Sequence, residues 1–302
     1  KKSSFKTIKV DAAANKMAVL NSIKEVCNTT TTPLVASSGL SIQYAILMGL
    51  VDYAKEYHKG KSIKIVVPPN CYGGTNDQVR RAAACIEAIE IMDLPVDGDH
   101  DMVQSLDLIL NKIAAEDAVP YVIAEIPTNP RVEVPDLVKL RNVLSAMRKT
   151  ERGEVAIAPV FLLDQTFCPN LHFLGEADIL STVKTISFAS GSKFPSGGLC
   201  TAGYCVANKK GEILIDKIFI YYIKNMVIYD CKICNFSSKL KPNYNRHLKT
   251  KKHLNNVKHY GADNEKISVN SLKNPLNPSF SPQKSSQISD HKNKKLFNCK
   301  FS

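Results

Sequence analysis

No stretch of this sequence is apolar for long enough to cross a bilayer. The longest apolar run, Ile213 to Tyr229, is broken by Asp216, Lys217 and Lys224, whereas a spanning helix needs about 20 nearly uninterrupted apolar residues. A membrane partner is therefore not expected. The opening residues, Lys1-Lys-Ser-Ser-Phe-Lys, lack the apolar segment that follows the charges of a secretory leader. A paired set of cysteines is missing too. The count is nine, an odd number, and the residues are scattered through an ordinary globular composition. This argues against a disulfide framework and for an intracellular, reducing compartment, the cytoplasm or the nucleus.

Two further scarcities divide the chain. Acidic residues lie mainly before residue 165, and after residue 210 alanine occurs only as Ala262. Lysine, asparagine, isoleucine and tyrosine take over, so the net charge of +12 is concentrated in the last third, which suits an anionic partner. The composition shift near Gly211 reads as a junction between sequences of different origin. With 302 residues and 44% hydrophobic content, the chain has room for one large domain and a small one.

Before that shift, strand-like and helix-like segments alternate. Helical spacing runs over 12–26, 40–57, 77–88, 102–115 and 135–150. Short apolar runs at 34–36, 62–67, 86–94, 121–125, 155–163, 178–189 and 199–208 read as strands. Such alternation predicts the α/β class with a doubly wound, mostly parallel sheet, whose ligands gather at the carboxyl ends of the strands. Several chemically apt residues fall at those ends. Lys193 follows the apolar run that ends at Ala189 and stands between Ser190, Ser192 and Gly197-Gly198. An amine at the end of a buried strand is expected to be partly desolvated and usable as a nucleophile toward a carbonyl. Ser37-Ser38-Gly39 turns directly into the helix that begins at Leu40, presenting free N–H groups to an anion. Tyr72, before Gly73-Gly74, can lie flat on an aromatic ring. Asp164 ends an apolar run and needs a cationic partner to stay ionised. Each has an ordinary alternative: a solvated loop lysine, a serine N-cap, a half-buried loop tyrosine, a turn-capping aspartate.

Taken in order, Ser37-Ser-Gly-Leu40, Cys71-Tyr-Gly-Gly74, Glu125-Ile-Pro-Thr-Asn-Pro130, Asp164-Gln-Thr166 and Ser190-Gly-Ser-Lys193 resemble the pyridoxal-phosphate enzymes of cysteine and methionine metabolism, the cystathionine gamma-synthase and gamma-lyase family. The resemblance covers roughly residues 30 to 210. It implies pyridoxal 5'-phosphate as cofactor, a large domain of the kind found in pyridoxal-phosphate-dependent transferases, and an amino-acid substrate. Lys193 would carry the cofactor as a Schiff base and act with Tyr72 as a catalytic residue. Ser38, Gly39, Leu40, Ser190 and Ser192 would hold the phosphate, Tyr72 would stack on the ring, Asn129 would bond its oxygen, and Asp164 and Thr166 would meet its nitrogen. The implied chemistry is elimination or replacement at the β or γ carbon, as a lyase or transferase of methionine metabolism. Family members also carry a Tyr-x-Arg segment that reaches a neighbouring subunit's phosphate, which implies a homo-oligomer; this sequence has no such segment, has Gln165 where the family usually has Asn, and has no family-like C-terminal domain after about Gly211.

Past that point a second pattern begins. Cys231, Cys234, His247 and His253 follow the spacing Cys-x2-Cys-x12-His-x5-His, which can close a tetrahedral zinc site. The alternative is two reduced cysteines and two surface histidines. The pattern resembles the two-cysteine, two-histidine zinc finger, including Tyr229 two residues before the first cysteine. A single helix is expected over 241–254. Arg246 and Asn243 fall where such fingers address bases, and Lys239, Lys241, Lys249, Lys251, Lys252 and Lys258 can face phosphates. DNA and RNA are both open as partners. The expected organisation is a transferase-like domain at 1–211, a junction at 212–228, a small ββα finger at 229–256 and a disordered basic tail at 257–302. The alternative to an enzyme is a nucleic-acid-binding zinc-finger protein carrying a catalytically inactive domain.

Overall fold

In the computed structural model, the chain is described over residues 11–96, 101–128, 132–193, 197–224, 229–231, 234, 236–238 and 241–260. It forms two compact units, Lys1–Met226 and Val227–Ser302. The first contains, in chain order, α1 (Ala12–Val26), β1 (Leu34–Ala36), α2 (Gly39–Tyr57), β2 (Ile63–Val67), α3 (Gly73–Cys85), β3 (Ile89–Asp93), α4 (Met102–Ala115), β4 (Val119–Glu125), α5 (Leu137–Ser145), β5 (Val160–Asp164), β6 (Lys184–Ser190), β7 (Gly203–Ala207) and α6 (Glu212–Lys224).

Its sheet has seven strands in the order β1-β7-β6-β5-β4-β2-β3. Only β7 runs against its neighbours; β6, β5, β4, β2 and β3 pair in parallel. The central strands are apolar on both faces, as a sheet covered by helices on each side requires. Ile63, Ile65 and Val67 of β2 pack with Ile42, Ile46 and Leu50 of α2 and with Leu214 and Ile218 of α6. Val66, turned the other way, packs with Leu106 and Leu110 of α4 and Leu140 and Leu144 of α5. The doubly wound α/β architecture expected from the sequence is therefore what the structure has. Every strand except β7 delivers its carboxyl end to the same edge of the sheet.

Several boundaries differ from the periodic reading. α3 begins at Gly73, not at residue 77, because Tyr72 already occupies the N-cap position. α5 stops at Ser145, five residues early, where the Arg148 guanidinium turns back to donate to the Val143 carbonyl (2.9 Å) and Thr150 N–H donates to the Glu154 carbonyl (2.9 Å). β6 starts at Lys184, and the residues before it form turns held by Asn208 Nδ2, which donates to the carbonyls of Leu180 and Val183.

The expected junction at 212–228 is corrected in the same way. Residues 212–224 form α6, which belongs to the first unit. Leu214, Ile215 and Ile218 lie on one side of the helix and are buried in the core shared with α2. The composition changes at Gly211, but an apolar stripe persists past it, and burial of that stripe carries the fold onward. At Gly49 the two helices meet backbone to backbone: a Cβ there would lie 2.7 Å from Ile218 Cα. Lys217 Nζ also pairs with Glu56 Oε2.

The second unit contains β8 (Tyr229–Cys231) and β9 (Phe236–Ser238), antiparallel with Cys231 opposite Phe236, then α7 (Lys241–Leu248) and α8 (Lys251–Tyr260). The single helix expected over 241–254 is two helices. Thr250 divides them, its hydroxyl donating to the His247 carbonyl (2.8 Å) and accepting from His253 N–H (3.2 Å), so one side chain closes α7 and caps α8. Helical structure runs to Tyr260, past the expected boundary at residue 257; the rest of the expected tail, 261–302, lies outside the described residues.

Substituting Gly49→Ala should force α2 and α6 apart and destabilise the first unit by about 1–3 kcal/mol, read as a fall in melting temperature. An unchanged melt would mean that α6 does not pack where the structure puts it.

Candidate active site

The shared edge of the sheet encloses a hollow of about 360 Å³ lined by residues at the ends of β4, β5 and β6, at the starts of α2 and α3 and in the loops between, among them Ser38, Gly39, Leu40, Tyr72, Asp164, Thr166, Ser190, Ser192 and Lys193. The structure thus brings together all the sequence-predicted residues of the first unit except Asn129, which lies outside the described residues.

One wall is the start of α2. Ser38 caps it reciprocally: Ser41 N–H donates to Ser38 Oγ (3.1 Å) and Ser38 N–H donates to Ser41 Oγ (2.9 Å). That capping box accounts for two of the end's donors, and the first-turn N–H groups of Gly39 and Leu40 stay at the positive end of the helix dipole. The opposing wall is Ser190 and Ser192, whose hydroxyls are 2.8 Å apart. The walls approach so closely that a Cβ at Gly39 would lie 2.9 Å from Ser190 Cβ, and one at Gly203 would strike the Ser38 carbonyl. Glycine is required at both places for backbone clearance. Two hydroxyls and a helix N-terminus converging in this way suit a phosphate dianion.

The floor is made by β4 and β5. In the parallel register Glu125 stands beside Asp164. Glu125 is buried, and its Oε1 accepts from Tyr72 N–H at 2.7 Å. Asp164 Oδ1 accepts from Thr166 N–H (2.9 Å), and Thr166 Oγ1 in turn accepts from Ser190 N–H (3.0 Å). Burial holds the Asp164 carboxyl above the usual carboxylate range, its bonds to Thr166 opposing this only in part, and among the described residues no cation contributes to its titration. The neighbouring Cys71 thiol is pushed up to about 12, chiefly by burial and then by the charges of Glu125 and Asp164. Gln165, between Asp164 and Thr166, points elsewhere: it accepts from Ser187 Oγ (2.6 Å) and donates to the Leu171 carbonyl (2.9 Å).

Tyr72 is half exposed, at 50%, and its ring lies over Gly74, where a Cβ would come within 2.6 Å of Tyr72 Cε1. The desolvation expected of Lys193 is not found. β6 ends at Ser190, and Lys193 sits in the turn beyond it, exposed at the rim. Sequence reasoning missed Gln43, Thr75, Glu125, Phe167, Phe188 and Thr201, which also line the hollow. Glu125 stood inside a quoted motif; Gln43 had a visible signal as a lone polar residue on the apolar face of α2.

In the second unit Cys231 Sγ, Cys234 Sγ and one ring nitrogen each of His247 and His253 all lie within 4.8 Å of one another. His253 Nδ1 is 3.4 Å from both sulfurs, close to the edge of about 3.5 Å that tetrahedral zinc with Zn–S of about 2.3 Å and Zn–N of about 2.0 Å would give. Asn256 Nδ2 donates to Cys234 Sγ at 3.3 Å. Burial, and then the nearby His253 and Lys252, hold His247 below its ordinary range, so its imidazole is neutral at neutral pH.

Neither a comparison with protein-family models nor one with curated proteins finds a match. Among solved structures, a crystal structure of cystathione gamma lyase from Micromonospora echinospora is similar, at 20% sequence identity and a TM-score of 0.46, over 66% of this chain and 43% of that one. The chain thus spans less than half the length of that protein. No helix among the described residues is long and apolar enough to cross a membrane.

Because its pKa is raised on folding, protonated Asp164 supports the ligand-free fold. That support is full below the unfolded carboxyl value of about 3.9 and is lost as pH rises through the folded value. Asp164→Asn should therefore melt higher than the wild type at pH 8, by on the order of 1 kcal/mol, with the difference closing toward pH 4. A difference independent of pH would contradict the assignment.

Proposed function

We propose that the first unit binds pyridoxal 5'-phosphate in the hollow at the strand ends and works on an amino-acid substrate. The observation that carries this reading is the meeting of Lys193, Asp164, Tyr72, Ser190 and Ser192 around one space of about 360 Å³. The group fits the residues. Its phosphate suits the cup of Gly39 N–H, Leu40 N–H and the two serine hydroxyls. Its ring suits the exposed Tyr72 face. Its protonated pyridine nitrogen is the kind of cation that Asp164 lacks among the described residues, and pairing with it would bring the carboxyl back to its ionised form.

When bound, pyridoxal phosphate supplies an electron sink for bonds broken at the amino-acid Cα. The chain's own contribution is to orient and to move protons. Lys193 Nζ would be the amine that holds the group, and as a free amine it would be the base for the Cα proton. The Asp164 carboxylate would hold the proton of the ring nitrogen, and Thr166, hydrogen-bonded to both Asp164 and Ser190, would tie the acid to the phosphate cup. The sequence resemblance supports a lyase or transferase of sulfur amino acids, working by elimination or replacement at the β or γ carbon.

Full-length protein treated with pyridoxal phosphate and then borohydride should gain one adduct per chain, recovered on the peptide containing Lys193, and Lys193→Ala should lose it. Absence of an adduct, or the same yield in Lys193→Ala, would overturn the reading.

A second reading concerns the second unit. We propose that Cys231, Cys234, His247 and His253 hold a zinc ion, an inference supported by their mutual distances, and that the unit contacts DNA or RNA. Arg246, Lys249, Lys251 and Lys252 are exposed beside the ligand set and can neutralise phosphates. If the first unit proves inactive, nucleic-acid binding is the function that remains. Metal analysis of the full chain should give about one zinc, as a four-ligand site holds, and Cys231→Ser should lose it. Unchanged zinc content in that variant would refute the ligand set.

A further inference from the structure

Gln43 is the one polar residue in the run Ile42-Gln-Tyr-Ala-Ile-Leu47 that is buried, with 5% of its surface exposed, among fully buried apolar neighbours of α2. Thr75 Oγ1 donates to its Oε1 at 3.3 Å. Its Nε2 is buried and has no hydrogen-bond partner among the described residues. Exchanging the amide oxygen and nitrogen would only move the vacancy to the other atom. A buried amide with an unmet half destabilises the ligand-free fold. Gln43 also lines the hollow described above, beside Leu40, Tyr72 and Thr75. It lies four residues after Gly39 and three after Leu40, on the same face of α2, and helical side chains lean toward the helix N-terminus. The amide therefore leans toward the turn whose N–H groups form the phosphate cup.

We propose that Gln43 is a ligand-binding residue, its Nε2–H donating to a phosphate oxygen of the bound ligand and extending the cup of Gly39, Leu40, Ser190 and Ser192. This rests on the reading of the hollow as a pyridoxal-phosphate site and adds a residue that the sequence motifs do not contain.

The test uses full-length wild type, Gln43→Leu and Gln43→Glu, with equilibrium binding of pyridoxal phosphate and of pyridoxal, and melting temperatures without ligand. Gln43→Leu should bind pyridoxal phosphate about tenfold more weakly, the effect of losing a hydrogen bond to a charged group, with pyridoxal binding unchanged and a melt that shows the variant folded. Gln43→Glu, which keeps the shape but sets a carboxylate toward the phosphate, should bind pyridoxal phosphate more weakly still. Unchanged affinity in Gln43→Leu would make Gln43 a purely structural residue and overturn the proposal. An equal loss for pyridoxal would place the contact on the ring and overturn it too. In both cases the wild-type adduct on Lys193 would stand, so the parent reading survives. A wild type that forms no such adduct removes the parent reading and this one with it.

Discussion

The structure of the first unit depends on one geometric constraint: strands that pair in parallel must end at the same edge. Each of β2, β4, β5 and β6 is bonded in register to the next, so residues far apart in sequence are held at neighbouring sheet positions. Glu125 and Asp164 are side by side for this reason, and Asp164 is opposite Phe188, two residues before Ser190. The reversed strand β7 brings Gly203 against the Ser38 carbonyl and closes the remaining side. The site is thus a consequence of strand direction, and the glycines at Gly39 and Gly203 let its walls come close together.

The same constraint concentrates negative charge. Glu125, Asp164 and the Cys71 thiol lie together on this floor, and burial holds the Asp164 carboxyl above the usual carboxylate range. The strain is electrostatic, and it is held in place by the burial of the central strands on both faces. A ligand carrying both a phosphate and a ring cation would satisfy the cup and the floor together. In the second unit the proposed metal ligands Cys231, Cys234, His247 and His253 would, with an ion bound, tie its described strands and helices together.

Much of this was legible in the sequence because period and direction leave local marks. The mostly apolar β2 and β4 declared a buried parallel sheet, and turn residues marked the strand ends near which Ser38, Tyr72, Asp164 and Lys193 stand. What was not legible depended on contacts across the fold. Leu214 and Ile218 look like part of a lysine-rich foreign segment until α2 is seen packed against them. The exposure of Lys193 depends on where β6 ends, three residues before it. The break at Thr250 arises from a hydroxyl serving two backbone partners, whereas periodicity alone continues one helix through it. Gln43 was visible as an anomaly, but only the hollow beside it supplies a reason.

The central claim is that a single ligand occupies the space between Tyr72, Asp164 and the Ser190–Ser192 pair. A crystal structure of the chain grown with pyridoxal phosphate tests it most directly. The account predicts ligand density continuous with Lys193 Nζ, with the ring against Tyr72, its nitrogen at the Asp164 carboxylate and its phosphate at the start of α2. A hollow filled only by solvent, or ligand bound at another surface, would contradict it.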